Sequence, residues 1–262
     1  MSLTQAEINS LGNQLHEAWE NASQIPPITD ITPDISIDEA YETQLVVIGK
    51  RVKAGETVVG KKIGLTAKVV MNMLGVDQPD FGHLMSGMEF KNSESLPINK
   101  FCQPKGEGEI AFVLKKDLFG PGITYAQVIA ATECVVPAFE IVDSRIKDWN
   151  IKIQDTVADN ASAGAFVLGS PQKSLRGIDL ATCGMVLKKN GEIIGTGAGA
   201  ATLDHPVNAV VWLANMLGSL GMSLKAGEVI LSGSLSIMFP IRHGDKLDME
   251  IGGLGKTACR FD

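Results

Sequence analysis

The sequence predicts an α+β protein: a small N-terminal helical region over residues 1–57, then a β-rich domain over residues 58–262. Three observations carry that reading. Two capping-box signatures, each followed by apolar residues at helical spacing, stand before residue 57. Beyond Gly106 the chain turns to short apolar runs separated by Gly-containing turns. Among those runs, one long helical pattern stands out, near residues 205–217.

Taken in order, Thr4-Gln5-Ala6-Glu7 opens the first helix, because the Thr hydroxyl can satisfy a free backbone N–H while Glu7 reaches back. Ile8, Leu11, Leu15 and Trp19 continue it as one apolar stripe. Ile25-Pro26-Pro27-Ile28-Thr29-Asp30 breaks it as a Pro-containing linker. A second box, Ser36-Ile37-Asp38-Glu39, starts a helix running to about Ala54-Gly55. V-V-G-K-K-I-G from Val58 reads as a strand, followed by a short helix over Ala67–Leu74 closed by Gly75. Asp77-Gln78-Pro79-Asp80-Phe81-Gly82 reads as a turn.

The strand runs are E-I-A-F-V-L, C-V-V-P-A-F-E-I-V-D, A-F-V-L-G and G-M-V-L-K-K-N-G-E-I-I-G, the last with the hairpin signal Asn190-Gly191. Lys152 to Ser162 is polar and irregular, read as a loop. His205-Pro206 opens the long helix, with Pro at its first turn and Val210, Leu213, Ala214 and Leu217 inward. V-I-L-S-G-S, K-L-D-M-E-I and T-A-C-R-F complete the strands.

Composition excludes several classes. Thirty acidic against 23 basic residues leave a net charge of −7, with no basic stripe for nucleic-acid phosphates. No run approaches the ~20 apolar residues of a membrane span. The polar N-terminus lacks the pattern of a secretory signal. The four cysteines form no C-x-x-C pair and read as buried reduced thiols, as expected of a cytoplasmic protein.

The acidic residues carry more information than their number. Glu107 and Glu109 lie two apart on one strand and so project from the same face, which continues as Ala111 and Val113. Ile110, Phe112 and Leu114 fill the other face, so the strand is buried and its glutamates belong at a pocket lip or on a metal. Glu140 is equally out of place within V-V-P-A-F-Glu140-I-V-D. Three converging carboxylates suit a hard divalent cation such as Mg²⁺ or Mn²⁺, with coordination positions left for substrate. A salt-bridge network with Arg145 or Lys62 is the structural alternative. One of the adjacent strand lysines Lys61 and Lys62 has to face inward.

G-K-K-I-G-L-T, G-V-D-Q-P-D-F-G, the Glu107/Glu109 pair, V-P-A-F-E-I-V-D-S-R-I-K-D-W, D-T-V-A-D-N-A-S and G-E-V-I-L-S-G-S follow one another in this order. Together they resemble the hydratase/decarboxylase branch of the fumarylacetoacetate hydrolase superfamily, over essentially the whole chain. The resemblance implies that superfamily's β-rich roll and makes Glu107, Glu109 and Glu140 the metal ligands. Lys62 matches the Lys of the G-x-K-x-G pattern and Asp80 the acid of the P-D-[FY]-G turn, which implies catalytic roles for both. Asp155, Asn160, Ser162 and Ser234 are the expected substrate-binding groups, and His83 the histidine expected nearest the pocket.

The implied reaction is metal-dependent addition of water to 2-hydroxypenta-2,4-dienoate in aromatic meta-cleavage catabolism. The alternative on the same fold is decarboxylation of 2-oxo-3-hexenedioate, and a non-catalytic partner subunit is the remaining possibility. K-K-I-G, M-L-G-V-D-Q-P-D-F-G and K-I-Q-D-T-V-A-D-N are similar to the hydratases. The resemblance also implies a homo-oligomer, with the partner decarboxylase of the same pathway as a further associate.

Overall fold

The computed structural model describes residues 2–68, 71–72 and 75–262. The helix expected over Ala67–Leu74 includes residues 69, 70, 73 and 74 and so lies outside the described residues. In chain order the helices are α1 (Gln5–Glu20), α2 (Ile28–Ile31), α3 (Ile37–Lys53), α4 (Tyr125–Ala131), α5 (Ile153–Ala158) and α6 (Pro206–Ser219). The strands are β1 (Val58–Gly64), β2 (Asp80–Met85), β3 (Glu89–Phe90), β4 (Ser95–Leu96), β5 (Lys105–Leu114), β6 (Thr132–Val142) and β7 (Ala163–Leu168). They continue as β8 (Gly184–Lys189), β9 (Glu192–Ala198), β10 (Val229–Ser234), β11 (Phe239–Pro240), β12 (Lys246–Ile251) and β13 (Gly255–Phe261).

Both capping boxes form. Glu7 accepts the Thr4 N–H at 2.8 Å and Glu39 accepts the Ser36 N–H at 2.8 Å, so each helix starts with its free donors satisfied. α1 and α3 pack closely at Gly12, where a Cβ would fall 2.6 Å from Val46 Cγ1. The Asn190-Gly191 hairpin forms between β8 and β9, with both residues left-handed at φ 55° and 88°. His205 caps α6 by accepting the Val207 N–H on Nδ1 at 3.1 Å.

The strands build two sheets. One has the order β2-β1-β10-β5-β6-β7-β3, with β11 also on β5, and the other β4-β13-β12-β8-β9. β5 and β6 form the long central pair, and alternation sorts their residues. Ile110, Phe112, Val135, Phe139 and Ile141 face the large core, which includes Met185 and Met249 of the second sheet. The sheets meet at Gly108, where a Cβ would lie 2.5 Å from Met249 Sδ. The opposite face carries Ala111, Val136, Ala138 and Leu231, small enough to leave room for the acidic side chains beside them. Leu11, Leu15, Ile28, Ala40 and Val47 belong to the same core as Ile110 and Phe139, so helices and sheet share one interior.

The structure departs from the sequence reading at several points. Asp80 is the first residue of β2, not part of a turn; Pro79-Asp80 has turn composition, but pairing with Gly64 of β1 extends the chain there. Residues 152–162 are not simply a loop: α5 forms within them, and residues 155–162 are buried against α3 and β2. α4, started by a Thr124–Gln127 capping box, is only seven residues long and too short to show a periodicity. Cys134, Cys183 and Cys259 are buried, but Cys102 is only partly so; all four are free. Among the described residues, no helix is long and apolar enough to cross a membrane.

Candidate metal centre

Strand register delivers the carboxylates to one point. Glu107 of β5 stands directly opposite Glu140 of β6, and Glu109 stands opposite Ser234 of β10. One oxygen from each of Glu107, Glu109 and Glu140 lies within 4.8 Å of the others. Glu109 and Glu140 are buried, while Glu107 is half-buried and marks the open side. Glu109 Oε2 accepts the Gly233 N–H at 2.7 Å. Gly233 is left-handed at φ 110°, and a Cβ there would strike the Thr66 side chain, so glycine is required for that donor to approach.

The remaining oxygens lack hydrogen bonds. Glu109 Oε1, both Glu140 oxygens and Asp80 Oδ1 are buried and have no donor. Lys62 Nζ comes within 3.1 Å of Glu140 Oε1, an attraction between charges without hydrogen-bond alignment. Burial raises the Glu107 carboxyl to about 7, with Glu140 adding to the effect. Glu109 is pushed well above the usual carboxylate range, again by burial first and then by Glu140 and Glu107. Burial alone would lower the Lys62 ammonium, but Glu140, Asp80, Glu107 and Glu109 together hold it above its ordinary value. Asp80 is raised by burial, with Lys62 opposing.

Buried acceptors without donors are costly, and several anions at one point more so. An all-oxygen set of three carboxylates, with orphaned lone pairs turned inward, fits a hard divalent cation. The Lys62 contact with Glu140 coexists with this arrangement; it does not satisfy the set.

A family model described as the C-terminal region of fumarylacetoacetate (FAA) hydrolase matches residues 67–262, which include Asp80 and all three glutamates. The chain belongs to the fumarylacetoacetate hydrolase family. Its family relatives include the 2-hydroxypent-2,4-dienoate hydratase of Pseudomonas putida, 57% identical over 82% of this chain and 98% of that one. The 2-hydroxyhexa-2,4-dienoate hydratase of Comamonas testosteroni is 50% identical over 97% of both chains. Among solved structures of the family, a 4-oxalocrotonate decarboxylase from Pseudomonas putida G7, complexed with magnesium and adipate, superposes with a TM-score of 0.97 at 35% identity. That superposition covers 100% of this chain and 99% of the other. Another structure of that decarboxylase holds calcium and acetate.

The other sequence-nominated residues separate. Lys62 and Asp80 join the glutamates, brought together at Gly64, which pairs with Asp80. A Cβ on Gly64 would lie 2.1 Å from Asp80 Oδ1 and 3.5 Å from Lys62 Nζ. Gly64→Ala is therefore expected to displace Asp80 and cut kcat roughly a hundredfold with the fold retained, which steady-state kinetics and circular dichroism would check. Ser234 lies beside Glu109, although its hydroxyl donates to Ser236 O.

Asp155 is buried, and its carboxylate accepts from Thr29 N, Thr29 Oγ1 and Lys152 N, which ties α5 to α2. Asn160 clamps β2, accepting the His83 N–H at 2.7 Å and donating to the His83 carbonyl at 2.9 Å. Ser162 Oγ pairs with Thr156 Oγ1 at 3.2 Å. Both lysines of the K-K pair are buried, Lys62 toward Glu140 and Lys61 against Glu228 at 2.7 Å.

Gly64 and Gly233 escaped the sequence reading, because a close approach leaves no mark beyond the glycine itself. His83 is buried, with Nδ1 3.0 Å from Gln44 Oε1, and burial lowers its imidazole from 6.5 to about 3. The folded chain thus keeps His83 neutral while the unfolded chain takes up the proton. His83's contribution is whole above pH 6.5 and is lost as pH falls toward 3, at up to about 1.4 kcal/mol per pH unit. His83→Gln is expected to flatten that acid loss of stability, measurable as urea midpoints across this pH window.

Proposed function

We propose that the protein is a metal-dependent hydro-lyase that adds water to 2-hydroxypenta-2,4-dienoate to give 4-hydroxy-2-oxopentanoate. The observation that carries the reading is the buried Glu107–Glu109–Glu140 cluster with its donor-less oxygens, beside Lys62 and Asp80. Relatives at 57% and 50% identity named as dienoate hydratases support the substrate class. Glu107, Glu109 and Glu140 would hold Mg²⁺ or Mn²⁺. A divalent cation there supplies Lewis-acid stabilisation of charge on the substrate's C1 carboxylate and C2 oxygen.

The chain's own groups do the rest. Lys62, fixed by its attraction to Glu140, places a positive charge where negative charge grows on the substrate. Loss of the C2 hydroxyl proton and delivery of a proton to C5 convert the dienol to an α,β-unsaturated ketone. Asp80, its Oδ1 free of donors, accepts a proton from water as the oxygen adds to C4. Protonation at C3 completes a sequence in which one water is consumed, both C=C π bonds are spent and no σ bond to carbon is broken. The apolar wall of Ala111, Ala138 and Leu231 keeps bulk water from the reacting carbons.

The same reading has the protein act in aromatic meta-cleavage catabolism as a cytoplasmic homo-oligomer with the pathway's decarboxylase as partner; its support is the resemblance of the sequence motifs to that branch of the family and the hydratase names of the relatives. Stripping metal with a chelator is expected to abolish hydration of the dienoate, and Mg²⁺ or Mn²⁺ to restore it. Product formation unaffected by metal removal would sink the reading.

A further inference from the structure

The strand that delivers Glu140 runs on into a strained turn, Lys147-Asp148-Trp149. Asp148 and Trp149 both have left-handed backbones, φ 58° and 55°, a conformation that disfavours bulky side chains. The turn is tied down from several sides. The Asp143 carboxylate accepts the Cys102 and Gln103 N–H groups, and Gln103 Nε2 donates to the carbonyls of Ser144 and Ile146. Trp149 Nε1 in turn donates to the Gln103 carbonyl at 3.0 Å. These bonds lash the turn to the residues leading into β5.

The consequence is a stacked cation. Lys105 Nζ lies 4.0 Å from the centre of the Trp149 ring. Lys105, Glu107 and Glu109 alternate on β5, so the ammonium shares the face of the acidic cluster, next to its half-buried member Glu107. Lys61, Lys62 and Lys189 each pair with a carboxylate, whereas Lys105 has no ion pair among the described residues. An aromatic ring holds the cation in place without neutralising it.

Even with a divalent cation bound, the four carboxylates Glu107, Glu109, Glu140 and Asp80 outweigh the cation and Lys62, which is drawn to Glu140, so an anionic substrate still meets a net negative site. We propose that Lys105, steadied on Trp149, binds the substrate carboxylate at the rim of the metal centre. This rests on the hydratase reading, which makes the ligand an anion. Lys105 is then a recognition group, and the strained turn exists to present the ring that aims it.

The test is steady-state hydration kinetics at several salt concentrations for Lys105→Gln, Lys105→Arg and Trp149→Ala, with Mn²⁺ titrations alongside. Lys105→Gln is expected to raise KM roughly tenfold, as for a lost charge-assisted contact, with kcat little changed. It should also flatten the salt dependence of kcat/KM. Lys105→Arg should restore KM, Trp149→Ala should raise it in part, and Mn²⁺ affinity should hold in all three. An unchanged KM in Lys105→Gln, or Lys105→Arg as defective as Lys105→Gln, overturns the inference. Failure of the underlying reading looks different: wild-type protein would not hydrate the dienoate at all.

Discussion

Glu109→Gln is expected to abolish divalent-cation binding and lower kcat roughly a thousandfold, the scale of losing one preorganised electrostatic contact. Glutamine keeps an oxygen for the Gly233 N–H, so the loop that donates it stays in place. What disappears is the charge and the donor-less Oε1. The effect on stability should change sign with metal. Without a cation the three carboxylates repel one another in a buried site, and removing one charge relieves that cost. With saturating Mg²⁺ the wild-type chain gains binding free energy that the variant cannot. Thermal melts should therefore rank the variant above wild type in chelator and below it in Mg²⁺. The same ranking in both buffers would count against a metal centre here.

Asp159→Ala carries the largest expected loss of stability, about 3–5 kcal/mol, because it strands a buried guanidinium. Arg145 Nε donates to Asp159 Oδ1 at 2.6 Å, Arg145 N to Asp159 Oδ2 at 2.9 Å, and Arg145 Nη2 to the Asp159 carbonyl at 2.7 Å. Both side chains are buried. Against a typical total of about 5–15 kcal/mol, such a loss leaves little margin. The pair fixes the start of the Asn160–Ser162 segment, three consecutive left-handed residues whose Asn160 clamps the strand carrying Asp80. Urea unfolding of Asp159→Ala and of the double variant Arg145→Met/Asp159→Leu would separate the causes. The double variant should recover part of the stability, since it removes the stranded guanidinium while buried Asp143 loses the Arg145 charge beside it.

What the sequence revealed and what it hid divide along a physical line. Thr4–Glu7, Ser36–Glu39 and Asn190-Gly191 were legible because caps and turns are made by residues close along the chain. Glu107, Glu109 and Glu140 were legible because carboxylates inside apolar runs contradict their surroundings. β2 was hidden, since Asp80 is extended only by its pairing with Gly64, a partner distant in sequence. The tie from Asp155 to Thr29 was hidden for the same reason, since the two lie 126 residues apart. The lashings that set Trp149 under Lys105 also join segments distant in sequence, residues 102–103 and 143–149, so K-D-W in the sequence gave no sign of a stacked cation.

The Glu107–Glu109–Glu140 centre is expected to hydrate a dienoate rather than remove CO₂ from a dioate, the reaction named for its structural relative at 35% identity. Proton NMR of Mg²⁺-loaded protein, incubated separately with 2-hydroxypenta-2,4-dienoate and 2-oxo-3-hexenedioate, tests it most directly. The expected result is the methyl doublet of 4-hydroxy-2-oxopentanoate from the dienoate, with the dioate untouched. Consumption of the dioate with release of CO₂, while the dienoate persists, would contradict it.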